Sequence, residues 1–130
     1  MQRRQHHYPG FPWLTLLASL SLSAFTWAQG VPEKGFRLMA AQTGGNCLAC
    51  HTVPGQLGSN SNFGPSLQKI AQRYSSQELR QWVTDARQIQ PGTLMPPFGT
   101  TADTRQPIRA QPILSPEEIG HIVAALETLK

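Results

Sequence analysis

One short stretch, residues 44–55, decides the fold, and it reads GGNCLACHTVPG. It contains both cysteines of the 130-residue chain, Cys47 and Cys50, and His51 follows the second directly. On a helical turn these positions are related as i, i+3 and i+4, so the two sulfur atoms and the imidazole lie on one face. Such a cluster can serve as a redox-active thiol pair, as part of a zinc site, or as the attachment point of a cofactor.

The first two interpretations fit the rest of the sequence poorly. A disulfide between cysteines three positions apart closes a very small loop and stabilises little. A thioredoxin-like thiol pair needs neighbouring strands, whereas residues 33–42 predict a short helix. Zinc needs four ligands, and beyond residue 28 only Cys47, Cys50, His51 and His121 are Cys or His. Cys-x-x-Cys-His is typical of c-type haem attachment, so we predict one covalent haem c, attached at Cys47 and Cys50, with His51 as an iron ligand.

A second axial ligand to the iron must come from elsewhere in the chain, and the candidates are Met39, Met95 and His121. Met39 lies on the helix that leads into the motif, and we expect it in the core. His121 is two positions beyond Ile119, which places it roughly 200° around a helix from the apolar stripe. We therefore predict that His121 is a solvent-exposed histidine.

Met95 lies in the loop PGTLMPPFG, residues 91–99. Pro96 restricts Met95 to an extended conformation, and Pro97 does the same to Pro96, so the loop is stiff before any cofactor binds. A thioether in such a loop can be held against iron at a small entropic cost. We predict that Met95 is the second axial ligand, which raises the reduction potential and favours electron transfer. A cavity lined by both His51 and Met95 is the structural expectation.

The first 28 residues resemble a secretory signal peptide. Arg3 and Arg4 precede an apolar run, WLTLLASLSLSA at 13–24, and small residues end at Ala28, after which we place cleavage. An uncleaved membrane anchor is the alternative, but the run falls short of the roughly 20 apolar residues that span a bilayer. The arginine pair lacks the apolar continuation of a twin-arginine signal, so Sec export to the periplasm is expected.

The remaining residues, 29–130, are long enough for one small domain. The whole chain has 11 Lys and Arg against 7 Asp and Glu, a net charge of +4. Loss of Arg3 and Arg4 lowers this charge to +2. No face carries the clustered basic residues of a nucleic-acid surface, and no nucleic-acid partner is expected.

The pattern beyond the motif is helical throughout. Residues 65–74 predict a helix, Ser75 and Glu78 predict a capping box for the next one, and Ser115 and Glu118 predict another for the last helix. No alternating strand pattern occurs, so the fold class is all-α. Two stretches carry no clear pattern, residues 52–63 and 100–114.

These features together resemble the class I cytochrome c fold over essentially all of residues 29–130. The resemblance implies that the carbonyl of Pro65, in the Gly64-Pro65 pair, accepts the ring N–H of His51, which would make Pro65 part of the cofactor site. It also implies that the first and last helices cross through small residues, for which Gly35, Gly120 and Ala124 are available. An approach of Trp82 to a haem propionate is a further expectation of the same kind.

Within that family the sequence is similar to SoxX, the monohaem subunit of the periplasmic SoxAX cytochrome complex. The supporting stretches are GNCLACH at 45–51, GPSL at 64–67, LRQWV at 79–83, TLMPP at 93–97 and IVAALETLK at 122–130. The resemblance implies a SoxA-like partner, a SoxYZ carrier cysteine to which the complex conjugates thiosulfate, and a downstream soluble cytochrome. The thiol chemistry would belong to SoxA, and we assign no catalytic residue to this chain.

Two alternatives stay open. The first is a free-standing monohaem electron shuttle, or the cytochrome subunit of another dehydrogenase. The second, from a different class, is a periplasmic thiol-disulfide oxidoreductase that uses Cys47 and Cys50.

Overall fold

The structure is a computed structural model, and it describes residues 30–56, 58, 60–101 and 111–130. Within these ranges there are four α-helices: α1, Pro32–Ala40; α2, Ile70–Arg73; α3, Ser76–Asp85; and α4, Pro116–Glu127. Two short 3₁₀ helices, Cys47–Ala49 and Ala86–Gln88, follow α1 and α3, and the described residues contain no strand. The all-α prediction is confirmed. The predicted signal peptide, residues 1–28, lies outside the described residues.

Helices α1 and α4 cross in direct backbone contact. A Cβ atom added to Gly35 would lie 2.0 Å from the carbonyl oxygen of His121 and 2.7 Å from the Cβ of Ala125. The predicted role of Gly35 is therefore confirmed, but the alanine beside it is Ala125 instead of Ala124, one position along the helix. Gly120 takes part through its carbonyl oxygen, which would lie 2.0 Å from a Cβ on Gly30. The contribution of Gly30 was not predicted.

The prediction that His121 is solvent-exposed is wrong. Its side chain is buried, and Nδ1 accepts a hydrogen bond from the backbone N–H of Val31 at 2.9 Å. The helical wheel separated His121 from one apolar stripe, but α4 packs against several neighbours and buries a second face under the chain that enters α1. His121 thus supplies the acceptor at the start of α1, where Val31 provides no side-chain cap.

The helix predicted over residues 65–74 is shorter in the structure. Lys69 has a left-handed backbone conformation with φ of 55°, and regular helix begins only at Ile70. The N–H of Leu67 donates to the carbonyl of Thr52 at 2.9 Å, so this segment is tied to the loop after the motif. Long-range backbone pairing overrides the helical periodicity at this position.

Both predicted capping boxes are present. The side chains of Ser75 and Ser115 each accept from the N–H of the residue three positions on, and the carboxylates of Glu78 and Glu118 accept in return. These caps fix where α3 and α4 begin. Met39 is fully buried, as expected, and packs in one apolar core with residues such as Leu79 and Ile122. No helix among the described residues is long and apolar enough to cross a membrane.

Candidate haem site

A cavity of about 1320 Å³ opens on the side of the core that faces the motif. All five residues predicted for the cofactor site line it: Cys47, Cys50, His51, Pro65 and Met95. It is larger than the roughly 300–1000 Å³ of an ordinary small-molecule pocket. Apolar side chains such as Leu79, Val83 and Phe98 form much of the remaining wall. A large, mostly apolar cofactor fits such a space.

The motif itself forms one tight turn. Asn46 adopts a left-handed conformation with φ of 45° and starts the 3₁₀ helix Cys47–Ala49. The N–H groups of Cys50 and His51 both donate to the carbonyl of Cys47, at 3.1 and 2.8 Å. This turn brings the two sulfur atoms and the imidazole to the same wall of the cavity, as the i, i+3, i+4 spacing predicts.

The His51 ring is oriented by the segment that carries Gly64 and Pro65. Nδ1 lies 2.7 Å from the carbonyl oxygen of Pro65. A carbonyl can only accept, so Nδ1 carries the proton and Nε2 carries the lone pair that a metal would use. A Cβ on Gly64 would lie 2.7 Å from Cε1 of the ring. The expected contact with Pro65 is present, while the need for a glycine directly against the ring was missed.

Met95 is half-buried and lines the same cavity as His51. Its backbone N–H donates to Oγ1 of Thr93 at 3.3 Å, and the following Pro97 and Phe98 are buried. Met39 also lines the cavity but is fully enclosed in the core, whereas His121 is not among the lining residues. Of the three candidate ligands, Met95 alone combines a loop position with access to the cavity.

The cavity is also lined by two aromatic residues, Tyr74 and Trp82, and by one cation, Arg73. The rings of Tyr74 and Trp82 meet edge to face, with centroids 6.1 Å apart. Arg73 is the only lining residue in the described ranges with a permanent charge, and its Nη2 donates to the carbonyls of Ser66 and Gln68. Trp82 thus lies at the cavity, and its approach to a haem propionate stays a prediction.

The alternative chemistries find little support in this geometry. Burial raises the pKa of the Cys47 thiol to about 11, whereas a redox-active pair needs a thiol that ionises readily near neutral pH. The residues described by the structure contain no group of three or more His, Cys, Asp or Glu side chains that could hold a metal ion by themselves.

Comparisons with known proteins agree with a haem site formed by Cys47, Cys50 and His51 at this cavity. The sequence profile of the family described as Cytochrome c matches residues 32–130. The chain belongs to the cytochrome c family. Family membership, together with the motif, establishes a covalently bound haem c as its cofactor, and electron transfer as its general role.

A solved structure extends the comparison. A chain of the crystal structure of SoxXA from P. pantotrophus matches with a TM-score of 0.75 and 32% sequence identity. The match covers 81% of this cytochrome and 85% of that chain. The cytochrome is therefore a class I c-type cytochrome similar to SoxX. A comparison with curated proteins returned no match.

Proposed function

We propose that this cytochrome is the monohaem electron-transfer subunit of a SoxAX-type complex, which conjugates thiosulfate oxidatively to a cysteine of a SoxYZ-like carrier. The observation that carries the electron-transfer part is the single cavity lined by His51 on one loop and Met95 on another. The SoxAX assignment is supported by the similarity to a chain of SoxXA.

In this proposal each site residue has one task. Cys47 and Cys50 would form the two thioether bonds to haem, and His51 would hold its iron through Nε2. The carbonyl of Pro65 accepts a hydrogen bond from Nδ1–H of His51, which fixes the tautomer and the ring orientation. Met95 would supply the second side-chain ligand to the iron. The bound haem supplies reversible one-electron chemistry between ferrous and ferric iron.

If His51 and Met95 both hold the iron, they would leave no position on it for a substrate. We therefore assign no catalytic residue to this chain and place the thiol chemistry in a SoxA-like partner. The electrons would continue from this cytochrome to a soluble acceptor cytochrome. A periplasmic location follows if the leader is cleaved after Ala28 as predicted.

The surface around the cavity suits contact with a protein partner. Phe63 and Leu94 line the cavity and are 68% and 67% exposed, so a bound haem would cover part of each side chain and leave the rest to a partner. Among the described lining residues only Arg73 carries a permanent charge, so the described cavity wall adds little charge of its own. The core of a stable protein interface is typically apolar and carries few charges. A transient complex that forms by electrostatic steering depends instead on charged groups on both surfaces.

The cofactor part of the proposal is tested on protein purified from periplasm. The mass should equal residues 29–130 plus one haem, and a denatured sample in alkaline pyridine should keep the haem absorption with the polypeptide. A colourless product whose two thiols react with a thiol reagent would refute haem attachment and restore the thiol-disulfide alternative.

The partner part is tested by size-exclusion chromatography with a SoxA-like cytochrome. We expect a stable one-to-one complex, weakened at least tenfold by Leu94→Ser or Phe63→Ser. Ile89→Ser is the matched control, because Ile89 is 41% exposed but does not line the cavity. A cytochrome that stays monomeric while exchanging electrons with a reductase would instead support the free-standing shuttle.

A further inference from the structure

The loop that carries Met95 is closed at its base by the end of α3. We call residues 86–99 the ligand loop, because Met95 lies within it. The loop starts directly after Asp85, and at its far end the N–H of Gly99 donates to the carbonyl of Thr84 at 2.9 Å. Both ends of the ligand loop therefore meet at the last two residues of α3.

Asp85 makes most of the hydrogen bonds at the base of the ligand loop. Its side chain is almost fully buried, and its carboxylate accepts three hydrogen bonds from Arg87. Oδ1 accepts from the backbone N–H at 3.2 Å and from Nε at 2.8 Å, and Oδ2 accepts from Nη2 at 2.9 Å. This pairing locks the first turn of the ligand loop, the 3₁₀ helix Ala86–Gln88. The same bonds lower the pKa of Asp85, so the carboxylate is ionised at neutral pH.

A continuous series of hydrogen bonds leads from this turn to Met95. The carbonyl of Ala86 accepts from the N–H groups of Ile89 and Gln90, at 3.1 and 2.9 Å. The carbonyl of Gln90 accepts from the N–H of Thr93 at 3.2 Å, and Oγ1 of Thr93 accepts from the N–H of Met95 at 3.3 Å. Each bond spans a few residues, so a change in the first turn is passed along to the backbone of Met95.

The position of Asp85 is unfavourable for α3 itself. It is the last residue of the helix, where the negative end of the helix dipole repels a carboxylate. Burial of a carboxylate also carries a desolvation penalty that only a well-formed pair offsets. The carboxylate is thus unfavourably placed for the helix but fixes the first turn of the ligand loop.

We propose that Asp85, paired with Arg87, is a positioning residue that holds the ligand loop closed and so keeps Met95 available to the iron. This inference rests on the proposed ligation by Met95. Asp85 does not line the cavity, so it acts on Met95 indirectly, through Arg87 and the loop backbone.

Displacement of Met95 by imidazole measures how often the loop opens. When a ligand binds only the open state, its apparent affinity is the intrinsic affinity scaled by the open fraction. Loss of one charge-assisted hydrogen bond shifts such an equilibrium roughly tenfold. We therefore expect the apparent Kd of imidazole for the ferric holoprotein to fall about tenfold in Asp85→Asn and in Arg87→Gln. The near-infrared band that marks methionine ligation should disappear at correspondingly lower imidazole concentration.

Ser75→Ala is the matched control. It removes the cap at the opposite end of α3, about 15 Å from Asp85 for a ten-residue helix, and lowers overall stability without touching the ligand loop. Its imidazole affinity should equal that of the wild type. Arg87→Gln keeps the test available if Asp85→Asn gives no folded holoprotein.

The outcomes separate the two levels of the proposal. Wild-type protein without a methionine band would refute ligation by Met95, and with it the proposed function of that residue. A normal wild-type band, together with unchanged imidazole affinity in Asp85→Asn and Arg87→Gln, would refute the positioning role alone. An equal increase in affinity for Ser75→Ala would show that the effect is general destabilisation, and would also overturn it.

Discussion

The helix crossing of α1 with α4 and the ligand loop are held in different ways. At the crossing, backbone atoms meet so closely that neither Gly30 nor Gly35 has room for a single methyl group. In the ligand loop, by contrast, Met95 depends on a series of individual hydrogen bonds that begins at Asp85. The comparison teaches that the fold is set by steric fit at one place, while the ligand geometry is set by a few polar contacts at another. Substitutions at the crossing should therefore mainly lower the stability of the fold, whereas substitutions in the ligand loop should have smaller effects on stability and change how Met95 is held.

The largest effect is expected for Gly35→Ala. On helix propensity alone, alanine would stabilise α1 by up to about 1 kcal/mol. The added Cβ would, however, lie 2.0 Å from the carbonyl oxygen of His121, and the helices would have to separate. We expect the free energy of unfolding of the holoprotein, measured in guanidinium chloride, to fall by about 3 kcal/mol.

Gly55→Ala is the control for that substitution. Gly55 has a φ of 76° and no atom within 4 Å of an added Cβ, so only backbone strain of about 1 kcal/mol is expected. If Gly35→Ala destabilises no more than Gly55→Ala, the description of the crossing as sterically closed is incorrect.

A smaller effect on stability is expected for His121→Leu. This substitution removes the acceptor of the partly buried N–H of Val31 and leaves that N–H without a hydrogen bond. Loss of that acceptor should lower the free energy of unfolding by about 2 kcal/mol. His121→Asn, whose side-chain oxygen can replace Nδ1 as acceptor, should recover at least half of the loss. Equal stability of the two variants would indicate that the hydrogen bond to Val31 contributes nothing.

The ligand loop should show a pH-dependent effect that originates at Asp85. Because Arg87 lowers the pKa of Asp85 in the folded state, the ionised carboxylate stabilises the protein above its unfolded pKa, near 4. That stabilisation is lost as the pH falls through the lower folded pKa. At neutral pH, Asp85→Asn should lower the free energy of unfolding by about 1 kcal/mol.

The difference between Asp85→Asn and the wild type should therefore narrow as the pH falls below about 4. Unfolding curves recorded between pH 7 and pH 3 provide the measurement. A difference that stays constant over this range would show that ionisation of Asp85 plays no part.

The smallest effect on stability is expected for Leu94→Ser. Leu94 lies in the ligand loop but is 67% exposed, so its substitution should change the free energy of unfolding by less than about 0.5 kcal/mol. A loss above 1 kcal/mol in thermal unfolding would mean that Leu94 packs against the domain or the haem, and would weaken its assignment to a partner surface.

Local sequence signals predicted much of this molecule. The spacing of Cys47, Cys50 and His51 predicted their common wall of the cavity, and serines followed by glutamates predicted the two capping boxes. Prolines around Met95 predicted a loop with no regular helix. Each of these features depends on residues close together in the chain.

The features that the sequence did not predict all depend on distant contacts. His121 is buried because the segment before α1 lies against α4, which one helical stripe does not reveal. The helix over residues 65–74 is short because Leu67 pairs with Thr52, fifteen residues earlier. The pairing of Asp85 with Arg87 was also missed, since two residues of opposite charge so close together rarely indicate more than a surface contact.

The most direct test of the haem site is the near-infrared absorption of the ferric protein in two methionine variants. Met95→Ala should abolish the band that marks methionine coordination, whereas Met39→Leu should keep it, because Met39 is a fully buried core residue. Retention of the band in Met95→Ala, or its loss in a folded Met39→Leu protein, would contradict the assignment of Met95 as the partner of His51 at the iron.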